Sequence, residues 1–462
     1  MNYQEAKKVL DQHGQGHVLK FWESLEGAQQ TALLAQIEAL DFKTVNQVRD
    51  LLKAGGEIAG TYKAMEPAPV ISLTPGEMRI PRGIGEGALK ANQVGVILVA
   101  GGQGTRLGYD GPKGTYPLAP LSQASLFEIH SRKILALERQ YGAQIPFYIM
   151  TSEGNDADTR KFFEDNKFFG LTPARVKFFI QGTLPAFLPD GRIILETTGR
   201  LFAAPDGHGG ILAALDRRGM LADMKQRGLT SLYYFQVDNP LVDIADPVFV
   251  GMHLQRRADI SVKVCAKRDP DEGLGVTVVR DGRTTVVEYS ELTQEQKQAR
   301  LPGGELLFKF GSVAIHIFSL GFLFREVSVG LPLHQAHKKV PVCGDNGALV
   351  KPDKPNAYKF EKFIFDALPD AKETLILEFA REDEFAPVKN AEGNDSPDTA
   401  RAAMMEKFAR WLAVCRVNVP RDAGGRLAVK IEIDPVYAHD ATALAARLPR
   451  GFKVTGDLLL KE

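Results

Sequence analysis

The run Val94 to Thr115, VGVILVAGGQGTRLGYDGPKGT, constrains this chain more than any other stretch. Val94 to Ala100 reads as a buried parallel strand, and it runs directly into Gly101-Gly102-Gln103-Gly104. Glycines at the end of such a strand let the backbone approach a ligand closely, because no Cβ stands in the way. Arg106 and Lys113 follow, the latter inside Pro112-Lys113-Gly114, and give the fixed positive charge that phosphate chemistry on a nucleotide needs. The spacing excludes the two commonest nucleotide motifs. A Walker A loop, G-x-x-x-x-G-K-[ST], is absent here, and the dinucleotide fingerprint fails because Leu107 stands where a third glycine belongs.

The rest of the chain sets the frame for that loop. With 462 residues it is long enough for two or three domains with a full-sized core. Lys plus Arg and Asp plus Glu are both 57, so no global field favours nucleic acid or an anionic membrane, and any anion site must be local. Cys265, Cys343 and Cys415 lie far apart without CxxC spacing, as expected of free thiols in a reducing compartment. No apolar signal region opens the sequence, and no uncharged apolar run reaches a membrane span, so a soluble, cytoplasmic protein is expected.

Three regions are expected along the chain. Residues 1–90 form a helical N-terminal region: up to about residue 60, Phe21, Trp22, Leu25, Leu33, Leu34, Ile37 and Leu40 supply its apolar faces. Pro67, Pro69, Pro75 and Pro81, with glycines at 83, 85 and 87, then read as a poor helix and a connecting segment. Residues 91–392 alternate strands and helices. Ser125 and Glu128 form a capping box that opens a helix reaching Tyr141, with Gly142 as its stop. Strands are expected at Ile145 to Met150, Val176 to Ile180, Leu232 to Val237, Ile260 to Ala266, Val276 to Val279 and Thr284 to Val287. The last two are joined by Asp281-Gly282 as a hairpin, so the sheet is α/β and mixed. Residues 393–462 make a small terminal module in which Leu427, Val429, Ile431 and Ile433 alternate with polar residues.

Ligands of open α/β sheets bind at the carboxyl ends of strands. Asp238 meets that rule, directly after Leu232 to Val237. It suits a magnesium ion, which takes one or two carboxylates, several waters and substrate phosphates, and it equally suits a turn cap before Pro240. Gln181-Gly182 also follows a strand. The run Pro205-Asp206-Gly207-His208-Gly209-Gly210 could pass close to a ligand, with His208 either a ligand contact or a loop histidine. The lysines at 338, 339, 351, 354, 359, 362 and 389 are by default solvated surface groups.

With these residues assembled, the chain resembles the UDP-sugar pyrophosphorylases, and most closely their UDP-N-acetylglucosamine branch. The resemblance covers about 94 to 390 and rests on motifs in order: LVAGGQGTRLG at 98–108, PKG at 112–114, Gln181-Gly182 with Leu184-Pro185-Ala186, and PDGHGG at 205–210. VDN at 237–239, VVEYSE at 286–291, KPDKPN at 351–356, KFEKFIFD at 359–366 and REDEFAPVKN at 381–390 follow. It implies a Rossmann-like mixed sheet of the nucleotidyltransferase (GT-A-like) type and a reaction in which UTP and a sugar 1-phosphate give UDP-sugar and pyrophosphate. It also implies roles. Leu98, Gly101, Gly102, Gln181 and Gly207 match uridine and ribose positions, and Lys359 a further UTP contact. Arg106 and Lys113 match the catalytic phosphate-binding cations, Asp238 the carboxylate for magnesium or manganese, Gly275 and Glu288 sugar contacts, and Lys389 the lysine on the sugar phosphate.

Two positions depart from the acetamido-sugar branch: His208 and Ser312 stand where that branch has Asn, and both face the sugar in the resemblance. The sugar is therefore expected to be N-acetylglucosamine 1-phosphate, with a UDP-glucose, UDP-galactose or broad-specificity enzyme as the alternative. A non-catalytic nucleotide-binding protein would be expected to lose Lys113, Asp238 or Lys389, and all three are present. A glycosyltransferase would want a second carboxylate in a D-x-D arrangement, but residue 240 is Pro and 236 is Gln.

Overall fold

The computed structural model describes residues 1–53 and 65–462, so the part of the expected helical stretch between 54 and 60 lies outside the described residues. Packing gathers the described residues into two units, each discontinuous in sequence: 1–53, Gly182–Ile211 and Leu331–Asp366 in the first; 65–181, Leu212–Gly330 and Ala367–Glu462 in the second. This is a different cut from the linear division into 1–90, 91–392 and 393–462. The cores give the reason, because apolar residues distant in sequence share one interior.

In the first unit, helices Tyr3–Gln12, Gly27–Glu38 and Phe42–Lys53 bury Leu10, Leu33, Ile37, Val45 and Val48 against Leu184, Phe187, Ile193, Leu201 and Phe360. Phe21, Trp22, Leu34 and Leu40, expected on apolar faces, pack partly buried against this core. The later segments contribute short antiparallel pairs, including Thr183–Pro185 with Ala203–Pro205 and His334–Lys338 with Ala357–Glu361.

The second unit is built on a ten-stranded mixed sheet. In chain order its strands are β1 (Met65–Pro67), β2 (Val94–Val99), β3 (Phe147–Thr151), β4 (Val176–Ile180), β5 (Ser231–Gln236) and β6 (Ile260–Ala266). They are followed by β7 (Val276–Arg280), β8 (Arg283–Val287), β9 (Phe310–Ser319) and β10 (Thr374–Glu378). The order β5-β2-β3-β4 is parallel throughout, as the β2–helix–β3 crossover requires. Strand β9 runs antiparallel to β5, β6 and β7 and joins the parallel run to a mixed half in which β6 and β10 pair in parallel. The β7–β8 hairpin turns on Asp281 and Gly282 with φ of 51° and 74°, the two positive values that match the twist of the flanking strands.

The expected helix after the glycine loop spans Leu126–Tyr141; Ser125 Oγ accepts the Glu128 amide at 3.1 Å, and Gly142 closes it at φ 63°. The proline- and glycine-bearing segment is not the connector expected: Arg79–Lys90 is an α-helix. Pro81 sits in its first turn, where amides have no helical partner in any case. Gly85 and Gly251 let this helix and Pro247–Arg256 touch backbone to backbone; an added Cβ would stand 1.9 Å from Pro247 O and 1.8 Å from Pro81 O respectively. The glycines weaken the helix alone and permit its packing.

The terminal stretch carries the helix Pro397–Val414 and a parallel pair, Ile431–Ile433 with Leu458–Leu460. The expected alternating strand is shorter than 427–433 and buried on both faces, because Glu432 is turned inward, where it accepts the amides of Leu121 at 2.7 Å and Ser122 at 2.8 Å. Among the described residues no helix is long and apolar enough to cross a membrane.

Candidate active site

The sheet topology gathers the candidate residues of the second unit on one edge. Leu98 lies in β2, Gly101 and Gly102 just beyond it, Gln181 beyond β4 and Asp238 beyond β5, all at carboxyl ends of parallel strands. Strand β9 is antiparallel to β5, with His316 opposite Tyr234, so its amino end and Ser312 point to the same edge. Val276 pairs with Gly311, which places Gly275 there too.

The glycine loop is tied into a fixed shape by its own backbone: Gly104 N–H donates to Gly111 O at 2.9 Å and Lys113 N–H to Gly102 O at 3.0 Å. Asn155, buried behind it, donates to Ala100 O at 2.9 Å. At Gly101 the Gln181 side chain comes so close that an added Cβ would stand 2.8 Å from its Oε1. At Gly102 an added Cβ would meet no protein atom within 4 Å, so its lack of a side chain answers to no packing need within the protein. Arg106, exposed on the Thr105–Leu107 turn, makes no ion pair among the described residues.

Lys113, Asp238 and the segment leading to Lys389 meet at the centre of this edge. The Lys113 ammonium stands 3.6 Å from Asp238 Oδ2 and donates to Val388 O at 3.2 Å. Asp238 O accepts the Val388 amide at 2.9 Å, which fixes the start of the Lys389 segment against the strand end. Lys389 is half-buried and likewise unpaired in charge among the described residues. Farther along the edge, Ser312 N–H donates to Gly275 O at 2.8 Å, and an added Cβ on Gly275 would stand 3.2 Å from Glu288 Oε1. The three expected sugar-side residues of this unit are therefore neighbours.

Gly207, His208 and Lys359 belong to the first unit and come together within it. Gly207 has φ 81° and lies so close to Lys362 O that an added Cβ would stand 2.5 Å away. Gly209 N–H donates to Lys362 O at 2.8 Å and Lys362 N–H to Asp206 O at 2.8 Å, so the glycine run is laced to the strand that carries Lys359. Lys359 Nζ stands 4.8 Å from the centre of the Phe202 ring. His208 accepts the Ile364 amide on Nδ1 at 3.2 Å and stacks on Phe363. Burial, and behind it the nearby His334, pushes its pKa down to about 4. The ring is neutral at pH 7 with its proton on Nε2.

Among the described residues the one convergence of three carboxylates is Asp243, Asp246 and Glu384, with oxygens within 4.8 Å of one another. There the Lys263 ammonium already stands 2.9 Å from Asp246 and 2.5 Å from Glu384, in the place a cation would take. Asp238 instead offers a single, mostly buried carboxylate beside an ammonium. That donor set fits a magnesium ion that keeps its waters and takes most of its remaining ligands from phosphate oxygens. Sequence reading missed the residues that hold the site in shape, Asn155 and Asn239 above all. Asn239 lies inside a motif already singled out, yet an asparagine gives no sign in sequence of which backbone groups it will bind.

Residues 77–421 match the family described as UTP–glucose-1-phosphate uridylyltransferase. The human UDP-N-acetylhexosamine pyrophosphorylase-like protein 1 is 39% identical over 430 residues, 88% of this chain and 85% of that protein. UDP-N-acetylglucosamine diphosphorylase 2 of Arabidopsis thaliana is 36% identical over 96% of this chain and 91% of its own. The crystal structure of the Trypanosoma brucei uridine diphosphate N-acetylglucosamine pyrophosphorylase superposes with a TM-score of 0.85 at 28% identity, covering 99% of this chain and 98% of that one. The match spans the glycine loop, the strand-end carboxylate and the Lys389 segment alike, and the chain belongs to the UTP–glucose-1-phosphate uridylyltransferase family, as a nucleotidyltransferase of the UDP-sugar pyrophosphorylase class.

Proposed function

We propose that this protein joins UTP to a sugar 1-phosphate, N-acetylglucosamine 1-phosphate being its best substrate, and releases UDP-sugar and pyrophosphate. The observation that carries the reading is the meeting of Lys113, Asp238 and the Lys389 segment, three parts far apart in sequence, at the edge where the glycine loop ends. A phosphate oxygen of the sugar 1-phosphate attacks the α-phosphorus of UTP as the bond to the β,γ-pyrophosphate breaks. Both reactants are anions, so their repulsion must be cancelled and their phosphates aligned before they can react.

The assigned roles follow that need. Arg106 and Lys113 bind and neutralise the triphosphate, and Lys389 holds the sugar phosphate. Leu98, Gly101, Gly102 and Gln181 take the uridine and ribose. Gly275, Glu288 and Ser312 face the sugar. The roles of Gly207 and Lys359 toward UTP, and of His208 toward the sugar, rest on the family resemblance. Asp238 would hold magnesium or manganese, which would supply charge neutralisation to the phosphates. No protein nucleophile is needed, since the attacking phosphate oxygen is largely deprotonated at neutral pH. A cytoplasmic setting agrees with three cysteines that form no disulfide.

The names of the relatives favour N-acetylglucosamine. A second reading, turnover of glucose or galactose 1-phosphate, is favoured by two departures from the acetamido branch: in the family resemblance His208 and Ser312 stand where two asparagine amides face the sugar. The experiment is pyrophosphate release from UTP and magnesium with a panel of sugar 1-phosphates. Release that requires both a sugar phosphate and the metal is expected. Equal turnover with ATP or dTTP would overturn the uridylyl assignment, and no turnover with any sugar phosphate would overturn the enzyme.

A further inference from the structure

We infer that Asn239 is a positioning residue that fixes the segment from Glu384 to Lys389 against the strand end at Asp238. The inference deepens the function proposed above and rests on it. Asn239 is only 4% exposed, and its amide is spent on bringing two pieces of backbone into one place. Nδ2 donates to Glu384 O at 2.7 Å, while Oδ1 accepts the amides of Ala386 at 3.2 Å and Leu241 at 3.3 Å. Next along the chain, Asp238 O accepts the Val388 amide at 2.9 Å. Residues 384, 386 and 388 are thus stitched in turn to 239 and 238, and Lys389 follows the last stitch.

The strand side of this seam is fixed independently. From the Leu126–Tyr141 helix, His130 Nε2 donates to Val237 O at 3.0 Å, and Lys133 Nζ donates to Pro240 O at 2.6 Å and Val242 O at 2.7 Å. With residues 237 to 242 anchored from behind, loss of the Asn239 amide leaves the slack in the 384–389 segment. That slack reaches two cations: Lys389 directly, and Lys113 through the Val388 carbonyl it binds. The seam needs a donor toward Glu384 O and an acceptor toward Ala386 N–H, and the neutral amide supplies both where an ionised carboxylate supplies only acceptors. A buried carboxylate of the same shape would turn an oxygen toward the Glu384 carbonyl.

The test compares Asn239→Ala and Asn239→Asp with Leu444→Ala, a cavity in the C-terminal core at a residue that is fully buried. In both Asn239 variants KM for the sugar 1-phosphate should rise about tenfold and kcat fall about tenfold or more, since small misplacement of orienting groups carries such costs. KM for UTP should rise less than KM for the sugar 1-phosphate, because the slack reaches Lys113 only through the Val388 carbonyl whereas Lys389 lies on the segment itself. Amide exchange of residues 384–390 should quicken in both variants and not in Leu444→Ala at an equal loss of Tm. A purely packing role predicts that the isosteric Asn239→Asp behaves as wild type; that result, or losses matched by Leu444→Ala, would overturn the inference. If one Asn239 variant does not fold, the other decides it. A wild-type protein that releases no pyrophosphate would overturn the proposed function instead, and the exchange measurement would still judge the seam.

Discussion

The Lys113 ammonium stands 3.6 Å from the Asp238 carboxylate and donates to the carbonyl of Val388, one residue before the lysine assigned to the sugar phosphate. The pair is a junction between loop, strand and arm, and it makes a prediction that either residue alone would not. Lys113→Ala and Arg106→Ala should each lower kcat by roughly 10²-fold or more with folding intact, as expected for groups aimed at transition-state charge. Asp238→Asn should also raise the magnesium concentration needed for half-maximal rate. Because Lys113 and Asp238 are in direct reach of one another, the double variant should lose much less than the sum of the two. The check is kcat against magnesium for the four variants. Wild-type rates at low magnesium in Asp238→Asn would leave that carboxylate as a turn cap.

The glycines at the edge make a second set of expectations, because each meets a different neighbour. Gly207→Ala would place a side chain at φ 81° and 2.5 Å from a backbone carbonyl, so the protein itself should be destabilised, by about 1–3 kcal/mol. Gly101→Ala would press on the Gln181 side chain, which can swing aside; there KM for UTP should rise with little change in Tm. Gly102→Ala meets no protein atom within 4 Å, so any loss of activity there reports a ligand and not the fold. Tm and UTP kinetics on the three variants separate these cases, and a large Tm loss in Gly102→Ala would contradict the last.

Much of this was legible in the sequence for local reasons. A glycine loop after an apolar run, a serine cap, a Gly142 stop and an Asp-Gly hairpin each state their geometry within a few residues, and the strands from β2 to β8 follow. What was not legible depends on contacts made elsewhere. Strand β9 alternates Val313, Ile315 and Ile317 with Ser312, Ala314 and His316, but its place between two other strands is set by pairing with β6 and β5, far away in sequence. The helix Arg79–Lys90 is a poor helix by propensity and exists because Gly85 and Gly251 let two backbones touch. Glu432 reads as the solvent side of a strand and is buried because loop amides of Leu121 and Ser122 await it. In the site, charged residues announced themselves, whereas Asn239 did not.

Burial also sets an acid sensitivity. The pKa of His208 is pushed down to about 4 by burial and then by His334, that of His253 to about 4 and that of His130 to about 3, chiefly by burial. In the unfolded chain these groups take up protons near pH 6.5, so between there and about 4 the unfolded state binds more protons and stability falls with falling pH. Glu326, pushed up to about 7 by burial, and Glu384, which burial raises against the Lys263 ammonium beside it, act in the opposite direction. The measurement is therefore a difference: Tm from pH 7 to 5 in wild type and in His208→Asn. The variant should lose less Tm on acidification, and equal slopes would mean that the His208 ring is protonated in the folded protein.

Sugar selectivity should be broader than the names of the relatives suggest. Gly275 and Ser312 are joined by a hydrogen bond of 2.8 Å, and Glu288 lies beside Gly275, so the groups that would hold sugar hydroxyls are in place. In the family resemblance Ser312 puts a hydroxyl where the acetamido branch has an amide, which would shorten the reach and remove one donor–acceptor pair. His208 faces the sugar only by the family resemblance; within its own unit the Ile364 amide occupies Nδ1, which leaves the ring one donor where an Asn would offer both a donor and an acceptor. A site that does not hydrogen-bond the acetamido group discriminates weakly against sugars that lack it. Glucose or galactose 1-phosphate should therefore be turned over measurably. Ser312→Asn should move kcat/KM toward N-acetylglucosamine 1-phosphate by about tenfold, the order of one recovered polar contact. The measurement is kcat/KM for the three sugar phosphates in wild type and Ser312→Asn. Strict wild-type selectivity for the acetamido sugar, unmoved by the substitution, would make Ser312 a spectator and leave discrimination to Glu288 and the backbone at Gly275.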